Sequence, residues 1–409
     1  MDANIVSLEK IIIIDNVIIG NNHLVINSGI INMAQHFFQK NAIAKEVVFL
    51  GEKSHIDILA NLIDINECCR VSFYPIEVIQ PKSGKIQKSV TWLKKLKKDK
   101  QYIGELFEMS FRQNPRLIII SCMVPINFLF FISKTNNRLK QKFLVFIHGE
   151  VELLFQSRLS VKEKINKYFL EKSFKKIASN TKLIVFSDYI KRSLTSKFNF
   201  QDDQIISINH PIQKYARSSD KISNCINFAH IGVANKRKNS ELIFKLADTF
   251  ADSVNSGSCK FSIIGRVERN EIKNINDIVT VEAKGNQPIP NDTYVELVSK
   301  ADYSLVFLPE EEYVYRISGS LLDSIQFQIP IIALQHIFVR ELFEKGGDIG
   351  FMCNDFVEML EVLKQINCRN PEFIDRYHLQ VMNLKKLSNN FYYEKASNII
   401  NAELGVWGE

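Results

Sequence analysis

A short polar loop that leads into a helical pattern carries the residue types of an anion-binding site. The loop contributes Tyr315, Arg316, Ser318 and Gly319, and the carboxylate of Asp323 follows one turn into the helix. Backbone N–H groups at a helix N-terminus lack intrahelical partners and favour negative charge, so Ser318 and Gly319 are expected to bind a diphosphate. Asp323 is then placed to accept sugar or ribose hydroxyls. By itself, the pattern fits an N-cap serine before an ordinary surface helix equally well.

A second candidate anion site is a basic loop between a strand and a helix. The strand pattern from 226 to 231 is followed by Gly232 and then by three successive cations, Lys236, Arg237 and Lys238. Amides at a glycine turn favour an anion, and the neighbouring cations neutralise its charge. The segment therefore predicts a phosphate site, with the contacting cation left open among the three. A solvated basic loop is the alternative.

Two further glycines at element ends are weaker candidates for contacts with the same ligand. Gly265 ends the strand pattern from 261 to 264 and would let a ligand approach the backbone, while Arg266 adds charge. Gly29 precedes a helical pattern that begins at Ile30 and is predicted to place N–H groups at the start of that helix. A plain N-cap explains Gly29 nearly as well.

An imidazole and a carboxylate leave another strand together. The apolar run from 143 to 147 is followed by His148, Gly149 and Glu150. Histidine can donate, accept or exchange a proton near neutral pH, so this position suits a group that touches a reacting sugar or its acceptor. The alternative is a strand-end histidine that is hydrogen-bonded to a backbone carbonyl.

The sequence offers no obvious seat for a metal that bridges a diphosphate. No Asp-x-Asp triplet occurs, so we expect no metal, and the cations from 236 to 238 would take its place. The three acids Glu310, Glu311 and Glu312 repel one another and are expected to form a solvated loop, with a contact to ligand hydroxyls as the alternative. No Gly-x-Gly-x-x-Gly motif follows a strand, which disfavours a dehydrogenase.

Strand and helix patterns alternate in two successive series. Continuous apolar strands that are separated by helices are typical of a parallel sheet covered on both faces. The polar segment from 213 to 224 has no periodicity and is the best linker candidate. We therefore expect two Rossmann-like doubly wound domains, residues 1–215 and 216–375, with ligands at the carboxyl edges of their sheets and a cleft between them.

The bulk composition is that of an ordinary globular protein. The 409 residues are 46% hydrophobic and 24% charged. Seven cysteines without a Cys-x-x-Cys pair indicate reduced thiols in a cytosolic protein. Neither the N-terminal apolar run nor the run from 123 to 132 suits a signal peptide or a membrane span, so we expect a soluble or peripheral protein.

The net charge of +7 is concentrated in a lysine-rich stretch that includes Lys94, Lys95, Lys97 and Lys98. Apolar residues recur there at helical spacing, and a basic amphipathic helix can bind an anionic membrane surface. A solvated lysine face on a core-packed helix is the alternative, and the more common one. No aromatic interleaving accompanies these lysines, so no nucleic-acid partner is expected.

The motif at 148 to 150, the loop from 232 to 238 and the segment from 315 to 330 together resemble the glycosyltransferases of the GT-B fold, especially those similar to glycosyltransferase family 4. The similarity in element order spans nearly the whole chain. It implies that the second domain holds a nucleotide sugar and that the first domain holds the acceptor. It also implies that the terminal segment, 376–409, crosses back onto the first domain as a helix.

Two positions depart from the pattern of that family, which has a pair of glutamates at fixed spacing and a glycine at the following strand entry. Asp323 matches the later glutamate in shortened form, Tyr315 replaces the earlier one, and Gln328 replaces the glycine. Because the earlier glutamate is linked to the transferred sugar, the resemblance does not carry retaining chemistry to this chain. An acid from 310 to 312 could substitute, or Glu150 could act as the general base of an inverting member.

The expected function is therefore a metal-independent glycosyltransferase that moves a sugar from a nucleotide-diphosphate donor to a glycan or lipid-linked acceptor. The expected setting is bacterial surface polysaccharide biosynthesis, in the cytoplasm or at the inner face of the plasma membrane. No cofactor is expected beyond the donor itself. A noncatalytic nucleotide-sugar-binding assembly subunit and a sugar-nucleotide epimerase of the same fold are the alternatives.

Overall fold

The computed structural model describes residues 9–19, 23–37, 45–64, 69–77, 90–113, 115, 117–136, 138, 141–215, 217, 222–268, 275–284 and 289–406. The chain divides into two compact units. Unit 1 consists of Met1–Ile212 together with Tyr393–Glu409, and unit 2 is Gln213–Tyr392.

Unit 1 is built on a parallel sheet with the strand order β3-β2-β1-β4-β5-β6-β7. The strands are β1 (Glu9–Asp15), β2 (Lys45–Gly51), β3 (Cys69–Pro75), β4 (Leu117–Cys122), β5 (Lys142–Phe146), β6 (Thr181–Val185) and β7 (Ile205–Ser207). The helices between them are α1 (Leu24–His36), α2 (Lys53–Leu59), α3 (Val90–Arg112), α4 (Pro125–Thr135), α5 (Glu152–Phe155), α6 (Val161–Phe174) and α7 (Asp188–Phe198).

Isoleucine-rich strands form the centre of this sheet. In register, Ile13 of β1 lies between Phe49 of β2 and Ile119 of β4, and all three side chains are fully buried. β-Branched side chains suit the pleated backbone, and apolar residues at consecutive positions are required where helices cover both faces. The continuous apolar run from Ile11 to Ile14 thus marks a central strand.

Unit 2 repeats the design with the strand order β10-β9-β8-β11-β12-β13. The strands are β8 (Ile226–Ile231), β9 (Cys259–Val267), β10 (Val279–Lys284), β11 (Tyr303–Val306), β12 (Ile331–Leu334) and β13 (Gly350–Cys353). The helices are α8 (Leu242–Thr249), α9 (Ala251–Asn255), α10 (Asn291–Ser299), α11 (Gly319–Gln326), α12 (Ile337–Gly346), α13 (Phe356–Asn367) and α14 (Pro371–Ser388). The fold class expected from the sequence, two doubly wound parallel α/β units, is confirmed.

The crossing back to the first unit lies later in the chain than the predicted boundary at 375/376. Helix α14 belongs to unit 2, and α15 (Tyr393–Val406) belongs to unit 1, where it packs on α1. The buried Lys182 of β6 forms an ion pair with Glu403 at 3.5 Å and also donates to the Glu403 carbonyl at 3.4 Å. A cation at the last turn of a helix satisfies its orphan carbonyls and suits its dipole, so Lys182 holds the end of α15.

Helix α3 contains the lysine-rich stretch. The side chains of Lys94, Lys95 and Lys98 lie outside the described residues, and Lys97 is exposed. Ile103 and its apolar neighbours further along the helix are buried, as expected for a core-packed face. Within the described part of the chain, no helix is both long enough and apolar enough to cross a membrane.

Candidate functional site

In unit 2 the predicted anion-binding segments meet at one sheet edge. Strand order reverses between β8 and β11, and ligands of open α/β sheets bind in the crevice outside the strand ends at such a point. The loop with Gly232 follows β8, and the loop that leads to Ser318 and Gly319 follows β11. The basic loop and the start of α11 therefore share one edge of the sheet.

Only one of the three successive cations is buried at this edge. Lys238 is 8% exposed, and a Cβ on Gly232 would lie 3.7 Å from its ammonium nitrogen. Burial lowers the pKa of Lys238 to about 8, against the opposing effects of Asp323 and Glu268. Lys236 is exposed, and Arg237 is held by Glu312, whose carboxylate it contacts at 2.6 Å. Lys238 is therefore the buried one among the three candidate cations.

A hydrogen-bonded chain fixes the shape of the basic loop. The buried ring of His230 accepts from the Ser240 hydroxyl at 3.1 Å, and Ser240 Oγ accepts the Asn235 backbone N–H at 3.0 Å. Asn235 in turn accepts the Lys238 backbone N–H. Burial lowers the pKa of His230 to about 4, so its ring is neutral and can serve as an acceptor. His230 therefore positions the loop rather than carrying charge.

Gly232, which follows β8, and Gly265, which lies within β9, allow the two backbones to approach closely. Gly265 has φ +154°, and a Cβ there would lie 2.0 Å from the Gly232 carbonyl oxygen. Gly232 itself has φ +89°. The expectation that Gly265 opens the backbone to a ligand is therefore replaced by a packing role, since the group against it is another backbone. Arg266 is exposed.

The N-terminus of α11 faces open space. A Cβ on Gly319 would meet no atom within 4 Å, so a ligand can approach its amide. Ser318 is the N-cap residue but makes no side-chain cap bond; its hydroxyl instead pairs with that of Ser320 at 2.7 Å. The Leu321 backbone N–H donates to the Ser318 carbonyl at 3.1 Å, so the amides of Ser318 and Gly319 remain the two that the prediction assigns to an anion.

Asp323 is bound to a tyrosine that sequence reasoning missed. Tyr294 of α10 donates its hydroxyl to Asp323 Oδ2 at 2.7 Å. Burial raises the pKa of Asp323 to about 6, and the Tyr294 hydrogen bond and the charge of Lys238 oppose that rise. A carboxylate that titrates this close to neutral pH is typical of a functional site. The contact joins two helices distant in sequence, so no local pattern could have revealed it.

The loop between β11 and α11 contacts the basic loop through the ring of Tyr313. Tyr313 adopts φ +61°, and the guanidinium groups of Arg316 and Arg237 lie 5.2 and 5.4 Å from its ring centroid. These distances are typical of cation–π contacts. Tyr315 and Arg316 are half-buried. Both predicted loop residues therefore lie in the segment that joins β11 to α11.

Gln328 stands where the resemblance implies a glycine, and it adopts a backbone conformation that favours glycine. Its φ is +56°, a left-handed conformation that costs other residues about 1 kcal/mol more than glycine. Its side chain donates to the Tyr215 carbonyl at 3.2 Å, and its own carbonyl accepts from Arg217 at 3.0 Å. These bonds offset the conformational cost and tie the predicted linker segment to the end of α11.

Unit 1 carries a separate polar cluster where its own strand order reverses, between β1 and β4. His148 Nε2 lies 2.6 Å from the Ser121 carbonyl, which can only accept, so this nitrogen carries the proton and Nδ1 can accept. Glu150 Oε2 accepts the His148 backbone N–H at 3.0 Å. Burial lowers the pKa of His148. One ring nitrogen of the neutral His148 is therefore hydrogen-bonded to a backbone carbonyl, as the alternative interpretation of the sequence proposed.

Asp15, at the end of β1, organises the loop opposite His148. Its Oδ1 accepts the backbone N–H groups of Val17 and Ile18, both at 3.0 Å. Its Oδ2 accepts from Asn27 at 2.7 Å and from the Ser121 hydroxyl at 3.2 Å. Asp15 was not among the candidate residues predicted from the sequence. An acid directly after a buried strand was the signal that could have identified it.

Several buried polar atoms around this cluster have no hydrogen-bond partner among the described residues. They are both amide atoms of Asn16, Nδ1 of His23 and Nε2 of His210. Burial lowers the pKa of His23 to about 4 and that of His210 to about 3, so both rings are neutral. Buried polar atoms normally have partners, so these atoms suit a ligand with hydroxyl groups.

Gly29 does not precede a helix. It lies in the second turn of α1, which begins at Leu24, and a Cβ on it would lie 2.8 Å from Cβ of Pro211. Its amide is therefore inside the helix, and the absence of a side chain lets α1 pack against the chain after β7. The prediction of an N-terminal amide site at Gly29 is corrected to a packing role.

Solved structures with the same fold cover nearly the whole chain. The HepE structure from Anabaena in complex with UDP and glucose is 12% identical, with a TM-score of 0.61, over 97% of this chain and 99% of that chain. A TarM variant from S. aureus in complex with fondaparinux, alpha-GlcNAc-glycerol and UDP is 11% identical, with a TM-score of 0.64, over 98% and 100%.

Sucrose-phosphate synthase from Thermosynechococcus elongatus is also similar, with 10% identity and a TM-score of 0.62 over 96% of this chain and 97% of that chain. No protein-family model and no curated protein sequence matches. At these identities the likeness establishes the fold. The GT-B architecture expected from the sequence is confirmed.

Proposed function

We propose that this chain is a glycosyltransferase that moves a sugar from a nucleotide-diphosphate donor to a hydroxyl acceptor. One observation carries the proposal: a buried lysine, the open N-terminus of α11 and the carboxylate of Asp323 share the edge of one sheet. Structural neighbours of the same fold bind UDP, and one HepE structure contains UDP-glucose. That edge offers a cation and amides for a diphosphate and an acceptor for hydroxyls, which are the groups such a donor requires.

The proposed donor site acts through fixed charge. Lys238 and the amides of Ser318 and Gly319 bind the diphosphate and stabilise the negative charge that develops on it as the sugar leaves. Asp323 accepts hydroxyls of the ribose or sugar, oriented by Tyr294. Because cations and helix amides neutralise the leaving group in this scheme, we propose metal-independent transfer.

The acceptor is proposed to bind the polar cluster of unit 1. The neutral rings of His148, His23 and His210 and the amide of Asn16 can exchange hydrogen bonds with hydroxyl groups, which suits a glycan or the sugar of a lipid-linked acceptor. Glu150 is proposed as the general base that deprotonates the acceptor hydroxyl, which would make the transfer inverting. A role in bacterial surface polysaccharide synthesis is proposed with it.

Transfer is tested by incubating the protein with UDP-glucose and other nucleotide sugars, with and without simple glycoside acceptors. We expect release of nucleoside diphosphate that depends on the acceptor, together with an extended glycan seen by mass spectrometry. Tight donor binding without turnover on any acceptor would instead identify a noncatalytic subunit. Isomerised donor without an acceptor would identify an epimerase.

Replacing Tyr294 with phenylalanine should move the pH dependence of donor binding. The carboxylate form of Asp323 accepts the hydroxyls, so donor affinity should fall as pH drops through its pKa of about 6. Without the tyrosine hydrogen bond, which lowers this pKa, the midpoint should shift to higher pH. Calorimetric titration with UDP-glucose at a series of pH values measures this midpoint. Both phosphates of a nucleotide sugar stay ionised near pH 6, so the donor itself does not titrate in this range. Tyr168→Phe in unit 1 is the matched control, and an unmoved midpoint in Tyr294→Phe would remove Asp323 from the site.

A further inference from the structure

Helix α6 of unit 1 exposes large apolar side chains on the face that points away from the core. Val161, Ile165 and Tyr168 are 75%, 36% and 51% exposed. They follow helical spacing and lie on one face, while Leu170 and Phe174 on the other face are buried. A surface helix normally presents polar residues outward. The outer face of α6 is therefore apolar, although contact with water favours polar side chains at such positions.

Lysines surround this apolar face. Lys162 and Lys164 flank it and are exposed, and Lys172 continues it with its ammonium 4.9 Å from the ring centroid of Tyr168. Within the first turn the acidic Glu163 is engaged at the helix start, where it accepts the Ser160 backbone N–H at 2.7 Å. The outward face thus combines apolar groups with positive charge.

Contacts within unit 1 fix the position of the outer face of α6. Ser160 and Glu163 form a capping box that fixes the start of α6. The buried Phe174 packs edge-on against Phe128 of α4, with ring centroids 6.0 Å apart. The helix also connects β5, whose carboxyl end leads to His148, with β6, so its N-terminal end lies toward the same edge of the sheet as the proposed acceptor cluster. A partner on α6 would bring that edge close to its own surface.

We propose that the outer face of α6 binds an anionic lipid bilayer. The apolar side chains enter the headgroup region and the lysines contact anionic headgroups, as in interfacial helices. A second copy of the chain fits less well, because a two-fold contact would bring the same lysines against one another. This proposal goes beyond transferase function and does not depend on it.

The test uses the intact protein in flotation with vesicles of equal parts phosphatidylcholine and phosphatidylglycerol, and with phosphatidylcholine alone. We expect binding to the anionic vesicles, which weakens as salt rises. The triple variant Val161→Ser, Ile165→Ser, Tyr168→Ser should lose at least about tenfold in partition coefficient. Reversing charge in Lys164→Glu with Lys172→Glu keeps the apolar groups and should also release the protein.

A matched control removes three exposed apolar side chains from unit 2. Val357→Ser, Leu379→Ser and Met382→Ser replace residues that are 66%, 46% and 51% exposed, and binding should persist. Equal loss in both triple variants, unchanged binding of the α6 triple variant, or equal binding to uncharged vesicles would overturn the proposal. So would a dimer without vesicles, seen by analytical ultracentrifugation, that the α6 substitutions abolish, because the occupant would then be a second copy.

Discussion

Replacing Lys238 with methionine is expected to reduce kcat/KM for a nucleotide sugar on the order of 100-fold. Lys238 is the buried cation of its loop, and it lies over the Gly232 turn and within electrostatic reach of Asp323. A buried ammonium interacts strongly with a diphosphate because little water screens it. The loss should therefore appear as weaker donor binding as well as slower turnover, measured by calorimetry and by release of nucleoside diphosphate.

The same substitution should not destabilise the fold, which separates a binding role from a structural one. Burial lowers the pKa of Lys238 from 10.5 to about 8, so the charged lysine opposes folding at neutral pH by roughly 3 kcal/mol. Between these two values the unfolded chain binds more protons, so this group makes wild-type stability rise with pH. The free energy of unfolding of Lys238→Met, measured by denaturation, should not show that rise with pH and should equal or exceed the wild-type value at neutral pH.

Lys236→Met supplies the matched control. Lys236 belongs to the same loop and carries the same charge, but it is exposed, and solvent screens its charge. Its loss should change donor affinity less than about twofold. Equal effects of the two substitutions would mean that the loop acts only through diffuse positive charge, and Lys238 would lose its assigned contact with the diphosphate.

The fold was largely predictable because its signals are local. Buried strands such as β1, β4 and β5 contain continuous apolar runs, and their alternation with helical patterns indicates a parallel sheet. Strand β3 at the sheet edge was missed because its residues are partly exposed and lack such a run. The start of α1 was placed too late, since its N-cap, His23, makes no side-chain cap bond and is not a typical cap residue.

The candidate site was predictable only where chemistry is local to one segment. The start of α11 and the basic loop were identified from their own residue types. The choice of Lys238 over its neighbours depends on burial, and the partnership of Tyr294 with Asp323 depends on two helices meeting. Gly265 was assigned to a ligand because the sequence does not show that another backbone fills the space beside it.

Replacing His148 with alanine is expected to lower kcat roughly 100-fold while leaving the affinity for the nucleotide sugar unchanged. His148 belongs to unit 1, whereas the groups assigned to the diphosphate belong to unit 2. Burial lowers the pKa of His148, so the ring is neutral at neutral pH. Its Nε2–H is committed to the Ser121 carbonyl, which leaves Nδ1 as the atom that can accept from a hydroxyl of the acceptor or the transferred sugar.

The substitution His148→Gln separates a direct role of the ring in the reaction from a role in holding the strand end in place. The amide nitrogen of Gln can replace Nε2 and donate to the Ser121 carbonyl, but Gln offers no acceptor where Nδ1 lies. If Nδ1 acts on substrate, His148→Gln should be as slow as His148→Ala, with a melting temperature near that of the wild type. Recovery of kcat in His148→Gln would show that the ring only supports the strand end. His378→Ala, at an exposed position on α14, should leave both kcat and donor affinity unchanged.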